Sequence, residues 1–331
     1  FKQKTAYEIS LGLVGSEMCI RDRITALAGG VGGAKLLLGF SKIHPPSSLS
    51  VIVNTGDDSI FHGLYVCPDL DTVMYTLAGL SDPVTGWGIA GDTRAVLNQL
   101  NIYGRPTWFT LGDRDVATHI CRTEMLNKGH TLSEVVGFLA KRLGVAVNLF
   151  PMSDNIVQTK VATEEGLLNL EDYFVRLKTQ PVVKNVQFEG AETAQMSYGF
   201  IDSLQNSELL VFCPSNPIIS INPILAVGSA RTQIKDFSGL RVAVSPIVGG
   251  KAVRGPAAKM MQELGYESSA FSVAQMYQDL CDVFVIDNAD KDYVQLIQEL
   301  GLRVLCTNTI MIELEDKIRL AQEILDYANS A

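Results

Sequence analysis

No stretch of the 331-residue chain approaches the roughly 20 consecutive apolar residues that cross a bilayer, so the sequence reads as one without membrane spans. Basic residues are in deficit: 27 Lys and Arg stand against 36 Asp and Glu, a net charge of −9. That deficit argues against nucleic acid as a partner, because such binding rests on neutralising many phosphates. It leaves room for a local pocket around one phosphorylated small molecule. Cysteine is sparse: the six residues form no C-x-x-C pair and have no histidine at zinc-finger spacing. A disulfide framework and a structural zinc site are therefore excluded, and the pattern fits buried, reduced thiols in a cytoplasmic protein. A hydrophobic content of 47% with 19% charged residues excludes a disordered chain.

What is present is an alternation of strand and helix patterns that begins at Ile24. The first 23 residues, FKQKTAYEISLGLVGSEMCIRDR, have no basic region followed by a sustained apolar core, so they are no secretory signal. They resemble translated sequencing-adapter read-through and are set apart as a non-native leader, 1–23, before a domain spanning 24–331. In that domain ITALA leads through GGVGG into the helical run AKLLLGFSKI, and LSVIVNTGDD is a β-branched run ending in polar residues. PDLDTVMYTLAG places Asp69 at an N-cap-like position ahead of a helix, and WFTLGDRD reads as a short strand with a polar exit. Thr131 and Glu134 have capping-box spacing, and LLVFCPSNP, RVAVSPIVGG, VFVIDN and RVLCTN read as later strands. This alternation implies an α/β fold, a Rossmann-like doubly wound and mostly parallel sheet. Residues 150–205 or so break the pattern. There IVQTKVAT and VVKNVQFEG look like exposed strands around a helix, LLNLEDYFVRL, which suggests an inserted α+β subdomain lying against the main sheet.

Ligands of open α/β sheets bind beyond the carboxyl ends of the strands, so the polar exits are the candidate site. Gly29, Gly30, Gly32 and Gly33, with Lys35, could bring backbone N–H groups to a phosphate, or could simply form a tight βα turn. No Gly-Lys-Ser/Thr follows, so this is not a Walker loop, and Lys35 stands where the dinucleotide fingerprint has its third glycine. Asp57, Asp58, Asp69 and Asp71 lie on neighbouring loops and suit a hard cation such as Mg²⁺. Asp69 reads equally as a helix cap, and Asp71 as a first-turn acid favoured by the helix dipole. Pro214-Ser215-Asn216-Pro217 presents two polar side chains on a fixed turn, and SPIVGG with Lys251 and Arg254 could hold an anion or close a crossover.

Together GGVGGAK, NTGDD, PDLDT, LGDRD-x-ATH, LFPMSD, PSNP-x-x-SI-x-P, SPIVGG-x-x-x-GPA and YQD-x-x-DVFVID resemble, in this order, the 2-phospho-L-lactate transferase family, also called CofD. The resemblance runs from about Ile24 to the C-terminus. It implies a transferase of substituted phosphate groups acting in coenzyme F420 biosynthesis. A phospholactyl or phosphoenolpyruvyl group would pass from a guanosine diphosphate ester (lactyl- or enolpyruvyl-2-diphospho-5'-guanosine) to an acceptor, with release of GMP. The acceptor would be the ribityl hydroxyl of the deazaflavin precursor 7,8-didemethyl-8-hydroxy-5-deazariboflavin. The resemblance also implies Mg²⁺ as cofactor and a homodimer. Asp71 matches the family's precursor-binding aspartate and, with Asp57, is the implied catalytic pair. A second precursor contact falls at Thr110, where archaeal members carry lysine, with Arg114 nearby. The glycines 29, 30, 32 and 33, Lys35, Ser215 and Asn216 would hold the guanosine diphosphate, and Asp57, Asp58, Asp69 and Asp71 the metal.

Two other classes stay open. A related branch, the gluconeogenesis-factor proteins, binds nucleotide sugars as non-catalytic regulators and also carries a glycine-rich first loop followed by acids. PDLDT followed by LGDRD-x-ATH favours the transferases. A dinucleotide oxidoreductase is disfavoured by Lys35 and by the lack of an acid closing the second strand in the usual way.

Overall fold

The computed structural model describes residues 23–253 and 255–330. Residues 1–22, where all but the last residue of the expected leader falls, Arg254 and Ala331 lie outside the described residues. Arg23 belongs to the fold, since its carbonyl accepts hydrogen bonds from the amides of Glu208 (3.1 Å) and Leu209 (3.4 Å).

The apolar runs become seven strands of one all-parallel sheet. Their spatial order is Arg303–Thr307, Val283–Asp287, Leu240–Val244, Leu209–Phe212, Ile24–Ala28, Leu49–Val53 and Asn148–Pro151. Parallel strands need crossovers on both faces, which explains why the runs are continuously apolar instead of alternating: every residue of Ile24–Ala28 and of Val283–Asp287 is buried. Leu27, Ile52, Phe212 and Phe284 feed the core on one face, and Ala26, Val51, Val211 and Val285 the core on the other. The chain builds outward from Ile24–Ala28 in one direction, then returns to its other side with Leu209–Phe212 and builds the opposite way. That reversal is the Rossmann switch point, and it opens a crevice at the carboxyl ends of these two strands.

The helix Gly30–Ile43 packs between Pro68–Leu77 and the C-terminal helix Leu314–Ser330. Its approach to the latter depends on Gly39, where an added Cβ would lie 2.1 Å from the Lys317 carbonyl oxygen. Helix propensity alone would reward alanine at this position. Gly39→Ala is instead expected to destabilise the protein by roughly 1–3 kcal/mol, the cost of overpacking against backbone, read as a lower urea midpoint.

Two excursions leave the carboxyl edge. The first, residues 54–147, carries the hairpin Ser59–Phe61 with Leu64–Val66 and four helices, Pro68–Leu77, Ala95–Ile102, Asp113–Asn127 and Leu132–Arg142. The capping box of Thr131 and Glu134 forms as expected. The strand expected at WFTL does not form. Its aromatics are used sideways instead: Phe109 stacks on Phe61 with centroids 4.1 Å apart, and Trp108 meets Phe61 edge-on at 5.3 Å. The LGDRD motif is a helix start. Asp113 accepts from the amides of Ala95 and Val96 and so caps the helix Ala95–Ile102, while Asp92 accepts from the amides of Arg114 and Asp115 and caps the helix Asp113–Asn127. Gly112 makes that exchange possible, because a Cβ there would sit 2.2 Å from Asp92 Oδ2.

The second excursion is the insertion. It forms a three-stranded antiparallel sheet in the order Gly166–Asn169, Gln158–Thr163, Val183–Glu189. LLN is therefore a strand and not part of a helix, turned back on Gln158–Thr163 by Gly166 at φ +117°, and only a π-turn at Asp172–Arg176 remains of the expected helix. Phe150 and Pro151 belong to the central sheet, and Gly199 of the helix Tyr198–Asn206 packs directly on the Phe150 ring. Among the described residues all five cysteines are free, and no helix is long and apolar enough to cross a membrane.

Candidate active site

The glycine-rich segment stands at the switch point, directly after Ile24–Ala28. Gly29 is its extended N-cap, and Gly30, at φ +63°, already opens the helix. Its neighbours show what the glycines accommodate. A Cβ on Gly32 would lie 2.2 Å from the Pro214 carbonyl oxygen, one on Gly33 2.6 Å from Ser215 Oγ, and one on Gly29 2.2 Å from Asp69 Oδ2. Close approach of protein to protein therefore demands glycine at all three positions. Ser215 Oγ accepts from the Gly29 amide (3.0 Å) and donates to the Gly29 carbonyl (2.8 Å), locking the loop to the PSNP turn. Asn216 Oδ1 accepts from the amides of Ile218 and Ile219, leaving its Nδ2 as a buried donor without a protein partner. Lys35 Nζ donates to the Met311 carbonyl (2.7 Å), ahead of the C-terminal helix.

Beside this loop, Asn54 gathers the acids. Its Nδ2 donates to Asp69 Oδ2 (2.9 Å), with Asp57 Oδ1 and the Ile219 carbonyl each at 3.3 Å. Asp57 Oδ2 accepts from the Asp69 amide (3.0 Å). Asp57 is thus the acid that caps the helix Pro68–Leu77, whose N-cap position is Cys67; the expectation that Asp69 does so is corrected. Asp69 lies in the first turn, with its carboxylate against Gly29 and Gly30. Asp58 turns the other way, accepting from Cys67 Sγ at 3.2 Å, and its Oδ1 has no partner. A fourth carboxylate, Glu171, enters from the insertion; it is only 5% exposed.

Burial strips these acids of water, and they are nearly without counter-charge. Loss of water, then the neighbouring charges of Asp69, Asp58 and Glu171, hold the Asp57 carboxyl well above the usual range. Burial likewise lifts Asp58, raises Asp69 to about 6, and with Asp69 and Asp172 pushes Glu171 up to about 8. The sign for stability follows. A carboxyl whose folded pKa is raised makes the native state bind more protons than the unfolded chain, so stability falls as pH rises between the two values. The melting temperature is expected to decline from about pH 4.5 to pH 8, and Glu171→Gln to flatten the upper part of that decline in a thermal-shift series.

Asp71 belongs to a separate network. The fully buried Arg122 grips it twice: Nη2 donates to Oδ1, and Nη1 donates to Oδ2 at 3.0 Å. The same Nη1 donates to His119 Nδ1 (3.0 Å), while His119 Nε2 lies 3.2 Å from Asp115 Oδ1 without a hydrogen bond to it; Tyr75 donates to that oxygen at 2.7 Å. Asp71, Asp115 and His119 hold ligand atoms within 4.8 Å of one another, the one such trio among the described residues. Two of its members, Asp71 and His119, are already engaged by Arg122. The structure thus divides the expected metal set: Asp57 and Asp69 share Asn54, Asp58 faces Cys67, and Asp71 is committed to Arg122.

A cleft of about 440 Å³ adjoins the acids, walled by Phe61, Trp108 and Phe109, with Arg105 at its rim and Glu171 in its lining. Thr110 follows Phe109 directly in the chain. Arg114 is turned to the neighbouring loop, where its Nη2 donates to the Ala90 carbonyl at 2.7 Å. A larger cavity, about 660 Å³ around Glu208, Arg241, Asp282 and Arg303, lies at the amino ends of the strands, the wrong edge for this fold's ligands.

The CofD family model, described as 2-phospho-L-lactate transferase CofD, matches residues 24–323. The chain belongs to the CofD family. A 2-phospho-L-lactate transferase of Methanocaldococcus jannaschii is 41% identical over 311 residues, 93% of this chain and 98% of that one. A phosphoenolpyruvate transferase of Streptomyces griseus is 40% identical over 312 residues, 92% and 98%. A solved structure of a Bacillus halodurans protein, BH3568, superposes with a TM-score of 0.62 at 14% identity over 92% of this chain and 99% of that one, a likeness of fold alone.

Within this CofD chain the motifs divide by role. LGDRD supplies helix caps, and PSNP fastens the glycine loop. Three residues of the site were missed by sequence reasoning. Asn54 and Arg122 are ordinary polar residues until the fold brings acids to them. Glu171 sits in a stretch that reads as an amphipathic helix, and no spacing links it to the distant Asp69.

Proposed function

We propose that this chain transfers a phospholactyl or phosphoenolpyruvyl group from a guanosine diphosphate ester to the ribityl hydroxyl of a deazaflavin acceptor, releasing GMP, as a step in coenzyme F420 biosynthesis. The observation that carries the reading is the junction at Glu171, where an aromatic-walled cleft meets the buried carboxylates of the switch point. A planar acceptor fits the first and a diphosphate with its cation the second. The relatives bear transferase names of both donor types, so the three-carbon group carried on the phosphorus is left as one of the two.

In the transfer the acceptor oxygen bonds to the phosphorus bearing the lactyl or enolpyruvyl group, the bond from that phosphorus to the GMP oxygen breaks, and the hydroxyl proton departs. Phe61, Trp108 and Phe109 would flank the ring system, with Thr110 beside it, and fix the acceptor's orientation. The glycine loop and Asn216 Nδ2, an otherwise unpartnered buried donor, would receive the guanosine diphosphate. The acids fit a hard divalent cation: they offer only oxygen, Asp58 Oδ1 and Thr55 Oγ1 are buried without partners, and burial alone disfavours their charge. Bound there, Mg²⁺ would neutralise charge on the diphosphate and the departing GMP. Asp57 and Asp69 would hold it, with Asp58 alongside. Asp71 with Arg122 would keep the adjoining wall rigid.

The test is to incubate the full chain with Mg²⁺, the deazaflavin acceptor and each donor ester in turn, following GMP by chromatography. Acceptor-dependent GMP release with one donor is expected. Donor binding without any acceptor-dependent release would overturn the reading in favour of a nucleotide-binding regulator.

A further inference from the structure

The cleft walled by Phe61, Trp108 and Phe109 also draws polar lining from the insertion, through Gln158, Asn169, Glu171 and Asp172. The strand Gln158–Thr163 alternates: Thr159, Val161 and Thr163 are buried, whereas Gln158 and Lys160 stand on its half-open face. Lys160 organises that face. Its Nζ donates to Gln158 Oε1 (2.9 Å) and Asn169 Oδ1 (2.7 Å) and pairs with Glu189 at 3.3 Å. An ammonium has protons to give and nothing to accept with, so both amides must turn their oxygens to it and their NH₂ groups away. Asn169 Nδ2 then donates to Asp172 Oδ2 at 3.3 Å. Gln158 Nε2, among the described residues, is left without an acceptor. The strand is fixed at this point, since the next amide, that of Thr159, donates to the Gly56 carbonyl at 2.7 Å.

From this arrangement we propose that Gln158 is a specificity-determining residue of the cleft: its Nε2 donates to a carbonyl on the pyrimidinedione edge of the acceptor's ring system, with Lys160 as the residue that positions it. The inference rests on the acceptor reading above and adds which edge of the ring is read, and from which part of the chain. A planar ring against Phe61, Trp108 and Phe109 gains buried area without direction, and its hydrogen-bonding atoms lie only at its edge. A donor already held by Lys160 has little orientational freedom to lose when the ring arrives. It also rejects a ring lacking a carbonyl there, because that ring would displace water from the amide protons and leave them unpaired. Guanine offers a carbonyl edge of the same kind, so GDP forms a separate arm of the test.

The probe is the deazaflavin acceptor itself, titrated into the full chain without donor and followed by its fluorescence. Beside it runs an analogue whose dione carbonyls are thiocarbonyls, which accept hydrogen bonds poorly. The parent protein should bind the acceptor roughly 3–10-fold more tightly than the analogue, the scale of one neutral hydrogen bond. Gln158→Leu should weaken acceptor binding by that factor and hold both ligands alike. Lys160→Met frees the amide to rotate and should narrow the preference too; melting transitions verify that both variants fold. GDP affinity, read by calorimetry, should change in neither. An undiminished preference for the acceptor in folded Gln158→Leu would overturn the proposal, and the same result in folded Lys160→Met would overturn the positioning role. Loss of GDP affinity with parent-like acceptor binding would also overturn it, by assigning Gln158 to the nucleotide. None of these readouts needs turnover. A parent protein that shows the preference yet releases no GMP would sink the transfer reading while supporting the role of Gln158.

Discussion

Arg122→Met is expected to lose about 3–5 kcal/mol of stability, the usual result of stranding one member of a buried ion pair, and to lower the melting temperature by roughly 5–8 °C. The side chain that suffers is Asp71. Both its oxygens take protons from Arg122, and no described residue replaces them. The reciprocal change, Asp71→Asn, should be costly too, because the guanidinium then remains buried at full charge beside His119. Read from sequence, Asp71→Asn looks harmless to the fold, since asparagine caps helices about as well as aspartate. The structure removes that reasoning, because the helix is capped by Asp57. The combination Arg122→Met with Asp71→Leu should recover most of the loss, as apolar replacements of buried pairs commonly do. Urea unfolding of the three variants checks this. GMP release by the recovered double variant then shows whether Asp71 matters to turnover independently of the fold.

Asp57→Asn should show the opposite balance. Turnover is expected to fall roughly 10²-fold or more, the scale for removing a key electrostatic group. Stability should hold or rise, because burial and three neighbouring acids already oppose the charge that is removed. Asparagine can still offer Oδ1 to the Asp69 amide. A joint measurement of melting temperature and GMP release separates the outcomes; near-parental turnover would reduce Asp57 to a helix cap.

The sheet was legible because a parallel strand buried on both faces must be apolar throughout, so Ile24–Ala28 and Val283–Asp287 could hardly read otherwise. The carboxyl-edge loops were legible for the same reason: each strand stops where its residues turn polar. The site's internal pairing was not. Whether Asp71 serves chemistry or neutralises Arg122 depends on how the helices Pro68–Leu77 and Asp113–Asn127 face each other, 51 positions apart in the pair that decides it. The glycines answer a second demand that the sequence does not show. Their number suggests room for phosphate, and in addition Gly32 is required by the Pro214 carbonyl regardless of any ligand. Gly32→Val would therefore disturb the loop itself, and loss of GDP binding in that variant would not locate the nucleotide. WFTL failed as a strand because its aromatics found Phe61, a tertiary partner that local pattern cannot reveal.

The exchange of caps between Asp92 and Asp113 bears on how such proteins are compared. Each acid serves the other's helix, and Gly112 is the gap through which they do so, so a substitution at any of the three disturbs the contacts of the other two. Asp92, Gly112 and Asp113 are thus tied to one another mechanically, whatever small molecule the site handles. Divergence in substrate choice is better sought at positions free of that linkage, such as Thr110, which can vary without uncapping a helix.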